Sequence, residues 1–256
     1  MQTTESLKRT IAVTEELQSV VKTMKALAGM NIQQYERAAH AVAGYNRAVE
    51  MGLQVALERL PGHLLTRGRA GAKVGAIVFG SDQGMCGQLN DQVVSYAARA
   101  LGKLAYRHED QVTAAVGIHA ASKLEGLGRV VEASALVPAS VAGITPAVEE
   151  VLRKIDEWHF ERGIDLVVLF YARPVSGAWY RIRGVRLLPV DEEWINGLRA
   201  RPWPTKGSPM FTMDPAQLFQ ALIHEYLFVS LFRAFADSLA SRCRSRSGIL
   251  FRRLRR

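Results

Sequence analysis

From Thr4 to Leu60 the chain contains no proline, and apolar side chains recur at three- and four-residue intervals: Leu7, Ile11, Leu17, Val20, Val21, Met24, Leu27, Ala28, Ile32, Tyr35, Val42, Tyr45, Val49 and Leu53. That spacing places them on one stripe of an α-helix, and Pro61-Gly62 ends the pattern. About 57 residues at 1.5 Å each make a rod of roughly 85 Å, longer than a small globular domain is wide. A helix of this length cannot bury its own stripe, so it needs a partner. Gln18 and Lys25 fall into the seam, which excludes a strict leucine zipper and leaves a less regular coiled coil.

A partner is available at the other end of the chain. After the proline-punctuated loop RPWPTKGSPMFTM, Asp214-Pro215 supplies an N-cap and a first-turn proline. Leu218, Leu222, Tyr226, Val229, Phe232 and Phe235 then repeat at helical spacing. Read as broken at Ser247-Gly248, this helix has about 30 residues and a length of roughly 45 Å, enough to cover about half of the first. The remainder of the first helix is expected to be bare.

Between the two helices the pattern changes. Strands are expected at 76–81, 111–119, 130–137 and 165–174, helices at 91–106 and 147–162, and an antiparallel edge strand at 178–190. Alternation of strand and helix predicts an α/β fold: a three-layer Rossmann-like domain with a mostly parallel sheet, inserted between long N- and C-terminal helices that form an antiparallel coiled coil. The divisions read as 1–62 (first coiled-coil helix), 70–200 (α/β domain), 213–246 (second coiled-coil helix) and 247–256 (basic irregular tail).

Composition narrows the function classes. The net charge is +9, but seven of the 33 basic residues are arginines in 242–256, which has no acid, leaving 26 against 24 elsewhere. A nucleic-acid surface would rest on that tail alone, so no nucleic-acid partner is expected. No uninterrupted apolar run reaches the eighteen or so residues of a membrane span, and MQTTESLKRT lacks the hydrophobic core of a signal peptide, so the default address is the cytoplasm. Cys86 and Cys243 form no CxxC pair, and no metal site or cofactor is expected.

The stretch FGSDQGMCGQLN, residues 79–90, follows an apolar strand, at the place where α/β proteins hold ligands. Its residue types do not suit catalysis. Gly87 is followed by Gln88-Leu89 rather than by the lysine and hydroxyl of a phosphate-binding loop, the spacing of Gly80, Gly84 and Gly87 is not that of a dinucleotide turn, and Ser81 directly follows Gly80 where a nucleophile elbow needs a gap. Cys86 has no histidine nearby to activate it. No catalytic residue is assigned. The glycines let a strand-to-helix turn lie flat against another backbone, with Asp82 and Asn90 tying down its amides.

Three segments in order, LKRTIAVTEELQSVVKTMKALAGM, GSDQGMCGQLN and EYLFVSLFRAFADSLAS, resemble the gamma subunit of rotary F-type ATP synthases, most closely the alternate, N-type branch. The family's turn reads SDRGLCGGLN; Ser81, Asp82, Gly84, Cys86, Gly87, Leu89 and Asn90 match it, whereas Gln83 replaces an arginine and Gln88 a glycine. The resemblance covers residues 1 to about 241. It implies a non-catalytic rotor shaft with the alpha and beta subunits of the catalytic hexamer, the epsilon subunit and the membrane c-ring as partners, lying peripherally on the cytoplasmic side of a bacterial inner membrane. It implies interface and coupling roles for Lys22, Met24, Lys25, Leu27 and Ala28, for the matched turn residues, and for Glu225 and Arg233. An α/β enzyme or phosphate-ligand-binding protein using the GSDQGMCG turn is the alternative. Beyond Ser241 the family continues with further helical turns, whereas SRCRSRSGILFRRLRR reads as a helix-breaking end of the kind a shifted reading frame yields.

Overall fold

A computed structural model describes residues 4–59 and 73–254, apart from 85, 105, 177, 191, 205, 206 and 208. Helix α1 (Thr4–Arg59) runs uninterrupted for 56 residues; the Pro61-Gly62 stop lies outside the described residues. Strands β1 (Lys73–Phe79), β2 (Gln111–Val116), β3 (Val131–Ala135), β4 (Ile164–Val175) and β5 (Ala178–Leu188) are interleaved with helices α2 (Leu89–Gly102), α3 (Ile118–Gly126) and α4 (Ile144–Arg162). A short helix, α5 (Glu192–Arg199), precedes the 40-residue α6 (Pro215–Leu254). The sheet order is β3-β2-β1-β4-β5; all pairings are parallel except that of β5, which lies antiparallel on the edge.

Both faces of the sheet are covered, which is why β1 and β4 read as nearly continuous apolar runs. Val74, Ala76 and Val78 pack toward α2 and α3 with Val93, Ala97, Leu101 and Leu124. Ile77 and Phe79 face the opposite layer, where α4 and α6 contribute Val148, Ile155, Trp158, Leu231 and Phe235. Trp158 is fully buried, and its indole nitrogen donates to Glu132 Oε2 at 2.9 Å. It fits because residue 75 is glycine: a Cβ there would stand 2.6 Å from Trp158 Cε3.

Helices α1 and α6 pair antiparallel. The Tyr45 hydroxyl donates to Glu225 Oε2 at 2.7 Å, Arg244 pairs with Glu36, and Leu222 lies over Gly52, where a Cβ would come within 3.0 Å of its Cδ1. At one end α5 joins the pair, its Ile195 and Leu198 packing with Val49, Leu53 and Leu57. Toward the other end α1 leaves its cover: every described side chain from Thr4 to Val20 is exposed, and Ala28 is the first to be buried.

The structure corrects several expectations. The 111–119 strand ends at Val116, because Gly117 turns with φ 109° and α3 begins at Ile118. Helix α6 does not break at Ser247-Gly248 but continues to Leu254, so that its length is roughly 60 Å rather than about 45 Å. A helical glycine costs only about 1 kcal/mol relative to alanine. Ala240, Ser241, Cys243 and Ser245, all buried just before it, hold the helix in place. Helix α6 is also long and apolar enough, by length and composition, to cross a membrane. Its Leu227, Leu231, Phe235 and Leu239 are instead buried in the core shared with the sheet.

Replacing Gly75 by alanine forces a methyl group against the Trp158 ring and is expected to lower stability by about 1–3 kcal/mol. The check is the urea midpoint of Gly75→Ala against that of the parent chain; an unchanged midpoint contradicts the close packing.

Candidate functional site

The strand order places a reversal between β1 and β4. Beyond β1 the chain turns away through α2 to β2 on one side, while β4 lies on the other, so a crevice is expected at the carboxyl end of β1. The turn of residues 80–90 sits there. The Asn90 side chain closes it: Oδ1 accepts from Ser81 N at 3.0 Å, and Nδ2 donates to Ser81 Oγ at 2.9 Å. The Ser81 hydroxyl in turn donates to Gln83 O at 3.0 Å. Contrary to the expectation from sequence, Asp82 does not tie down the turn's own amides. Its two oxygens accept from Ile118 N at 2.9 Å and Val137 N at 2.7 Å, fastening the start of α3 and the end of β3 to the turn. Gly80 is required by close approach, since a Cβ would meet Ala120 Cβ at 2.6 Å, and Gly87 by its φ of 58°.

The crevice is occupied by the chain itself. Helix α6 crosses it on a row of small side chains: the Ser241 hydroxyl donates to Ala172 O at 3.0 Å and that of Ser245 to Cys86 O at 2.7 Å. Both serines are buried. Arg246 Nη1 donates to Gln83 Oε1 at 2.8 Å. Cys86 is buried against Leu89, Ala172 and Tyr180, with its Sγ directed at Gln83 O at 3.5 Å. Burial pushes the Cys243 thiol above its ordinary range, despite the lowering effect of Arg242, and keeps it protonated and unreactive. Among the described residues no group of three or more His, Cys, Asp or Glu side chains could hold a metal ion. The turn therefore works as a fastening and offers no open place for a substrate.

The residues singled out from sequence fall into three places. Ser81, Asp82, Gly84, Cys86, Gly87, Leu89 and Asn90 come together in the turn; Ser81, Cys86, Leu89 and Asn90 are buried and Gly84 is exposed. On α1, Lys22, Lys25 and Leu27 are exposed, Met24 is half-buried and Ala28 is buried. On α6, Glu225 accepts from Tyr45, and Arg233 is exposed. Sequence reading missed Ser241, Arg244, Ser245 and Arg246, which join α6 to the turn, to β4 and to α1. The signal was the four-residue spacing of Ser241 and Ser245, hidden by the arginines around them.

Asn90→Ala strands the buried Ser81 amide and is expected to cost about 1–3 kcal/mol, whereas Ser245→Ala removes a single hydrogen bond and costs about 1 kcal/mol; equilibrium urea unfolding of both variants checks the order. Comparison with known proteins agrees with this architecture. Residues 3–248 match the family model described as ATP synthase. The gamma chain of Thermobifida fusca ATP synthase is 24% identical over 253 residues, covering 93% of this chain and 80% of that one. That of Glaesserella parasuis is 27% identical over 238 residues, covering 90% and 80%. Among solved structures, a central stalk and c-ring chain of the Tetrahymena thermophila mitochondrial ATP synthase superposes with a TM-score of 0.62 at 16% identity, covering 92% of this chain and 99% of that one. With its long helical pair, its five-stranded α/β body and a family match over nearly its whole length, the chain belongs to the ATP synthase gamma-chain family.

Proposed function

We propose that the chain is the non-catalytic central-stalk subunit of a rotary F-type ATP synthase, coupling ion flow through a membrane c-ring to ATP synthesis or hydrolysis in a hexamer of alpha and beta subunits. The observation that carries this reading is the bare end of α1. From Thr4 to Val20 about 17 residues, roughly 25 Å of helix, project past the chain's own cover. Leu7, Ile11, Val13 and Val20 are each about half exposed there, as is Leu27 further along the helix. A row of apolar side chains on a projecting helix marks a contact with other chains. In this reading Lys22, Met24, Lys25, Leu27 and Ala28 lie within the collar formed by the hexamer.

The turn of Ser81 to Asn90 acts as an interface or stiffening element of the α/β body, and that body stands at the foot of the shaft, on the c-ring beside an epsilon subunit. Glu225 holds the two helices together through Tyr45. Gln83 and Gln88 mark the alternate, N-type branch. The complex sits on a bacterial inner membrane, with this subunit peripheral and on the cytoplasmic side. The filled crevice supports a shaft over an enzyme, because the place where an α/β enzyme of this topology holds its substrate is taken by α6.

Co-expression with the alpha and beta subunits should yield a co-purifying hexamer with this chain bound, and the isolated chain should not bind ATP. The double variant Ile11→Asp/Val20→Asp, altering two exposed positions, is expected to change the chain's own stability by less than about 0.5 kcal/mol per site while removing co-purification. Unchanged recovery of the hexamer with that variant would overturn the collar assignment, and ATP binding by the isolated chain would overturn the shaft.

A further inference from the structure

Strand β5 closes one edge of the sheet and, at 11 residues, is long for an edge. Ile182 and Gly184 turn toward the α2 layer, where Ile182 packs with the Phe170 cluster and a Cβ on Gly184 would meet Tyr96. Arg181, Arg183 and Val185 therefore take the opposite face, the side of α6, and both arginines are exposed. The register sets Arg181 directly opposite Arg173 of β4, and Arg183 opposite Tyr171. Exposed Arg233 of α6 lines the same side with Tyr171 and Val185. The acids here are already engaged: Glu36 holds Arg244, Glu50 holds Arg201, and Asp237 pairs with Arg173 at 3.6 Å. Among the described residues Arg181, Arg183 and Arg233 form no ion pair or hydrogen bond.

Like charges set opposite each other on paired strands repel, and negative charge brought from outside relieves the repulsion. The backbone says what form that charge takes. An edge strand leaves alternate amides and carbonyls facing outward, the groups that recruit an added strand. Arg181 and Arg183 repeat along it at roughly 7 Å, the interval at which carboxylates on alternate residues of a neighbouring strand also repeat. Arginines on such an edge turn away apolar and basic strands, because covering an unpaired guanidinium or opposing it with another cation is unfavourable. A strand of alternating carboxylates is the kind they admit. We propose that β5 receives an extended acidic segment of a partner protein, its backbone on the free edge and successive carboxylates on Arg181 and Arg183, while Arg233 adds charge from α6. The inference goes beyond the shaft reading and does not depend on it, since no residue of the bare end of α1 takes part.

The test is fluorescence anisotropy on the full chain with labelled nine-residue peptides, each made of threonine and three glutamates. The peptide with glutamates at alternate positions is expected to bind about fivefold more tightly than the one with glutamates three apart, the difference two exposed ion pairs can make. Arg181→Gln/Arg183→Gln, at exposed positions whose side chains hold nothing else, should weaken the first peptide by the same factor and leave the urea midpoint unchanged. Arg181→Glu/Arg183→Glu should lose that peptide and take its counterpart with lysine in place of glutamate, an exchange that loss of folding cannot produce. Equal affinity for the two spacings, affinity unchanged in Arg181→Gln/Arg183→Gln, failure of the charge exchange, or no binding at millimolar peptide would each overturn the proposal.

Discussion

Everything in this molecule is built around the passage of α6 across the carboxyl ends of β1 and β4. One face of that helix meets α1 through Glu225 and Arg244, another enters the core through Leu231, Phe235 and Leu239, and its later turns seat Ser241 and Ser245 on backbone carbonyls. Phe79, the last residue of β1, meets Phe235 edge to face with ring centroids 4.9 Å apart. Serine and alanine at the crossing let the helix axis approach where leucine would hold it away. The same contact denies a substrate the position that an open α/β sheet normally offers.

The network around the turn extends this contact through the body. Asp82 ties α3 and β3 to the end of β1, Asn90 ties α2 to it, and Ser245 ties α6 to it. Four segments distant in sequence converge on about ten residues. The bonds made by Asn90 and Ser245 are buried and costly to break singly, because each partner left behind has no water to turn to. A displacement of α6 is therefore shared by both layers of the sheet.

What could be read from sequence followed the strength and range of each signal. Helix α1 was legible because 56 residues without proline repeat one period. The edge position of β5 followed from its alternation, and the parallel core from the apolar runs of β1 and β4. Helices α3 and α5, nine and eight residues long, carry too few turns for a period to stand out. The continuation of α6 was missed because local propensity at Ser247-Gly248 argues for a break, while tertiary contacts of Ser241 and Ser245, 69 and 159 residues from their partners, overrule it. The turn was recognisable from its glycines, yet the targets of Asp82, 36 and 55 residues away, depend on how the sheet is ordered.

The seat of Leu222 on Gly52 has a mechanical consequence for the paired helices. Two helices that meet only along smooth flanks can creep past each other by small shear steps. A branched side chain lodged where its neighbour lacks a Cβ opposes such creep, because any axial displacement drives it against a bulkier residue on either side. Axial load on one helix is thus passed to the other at this seat.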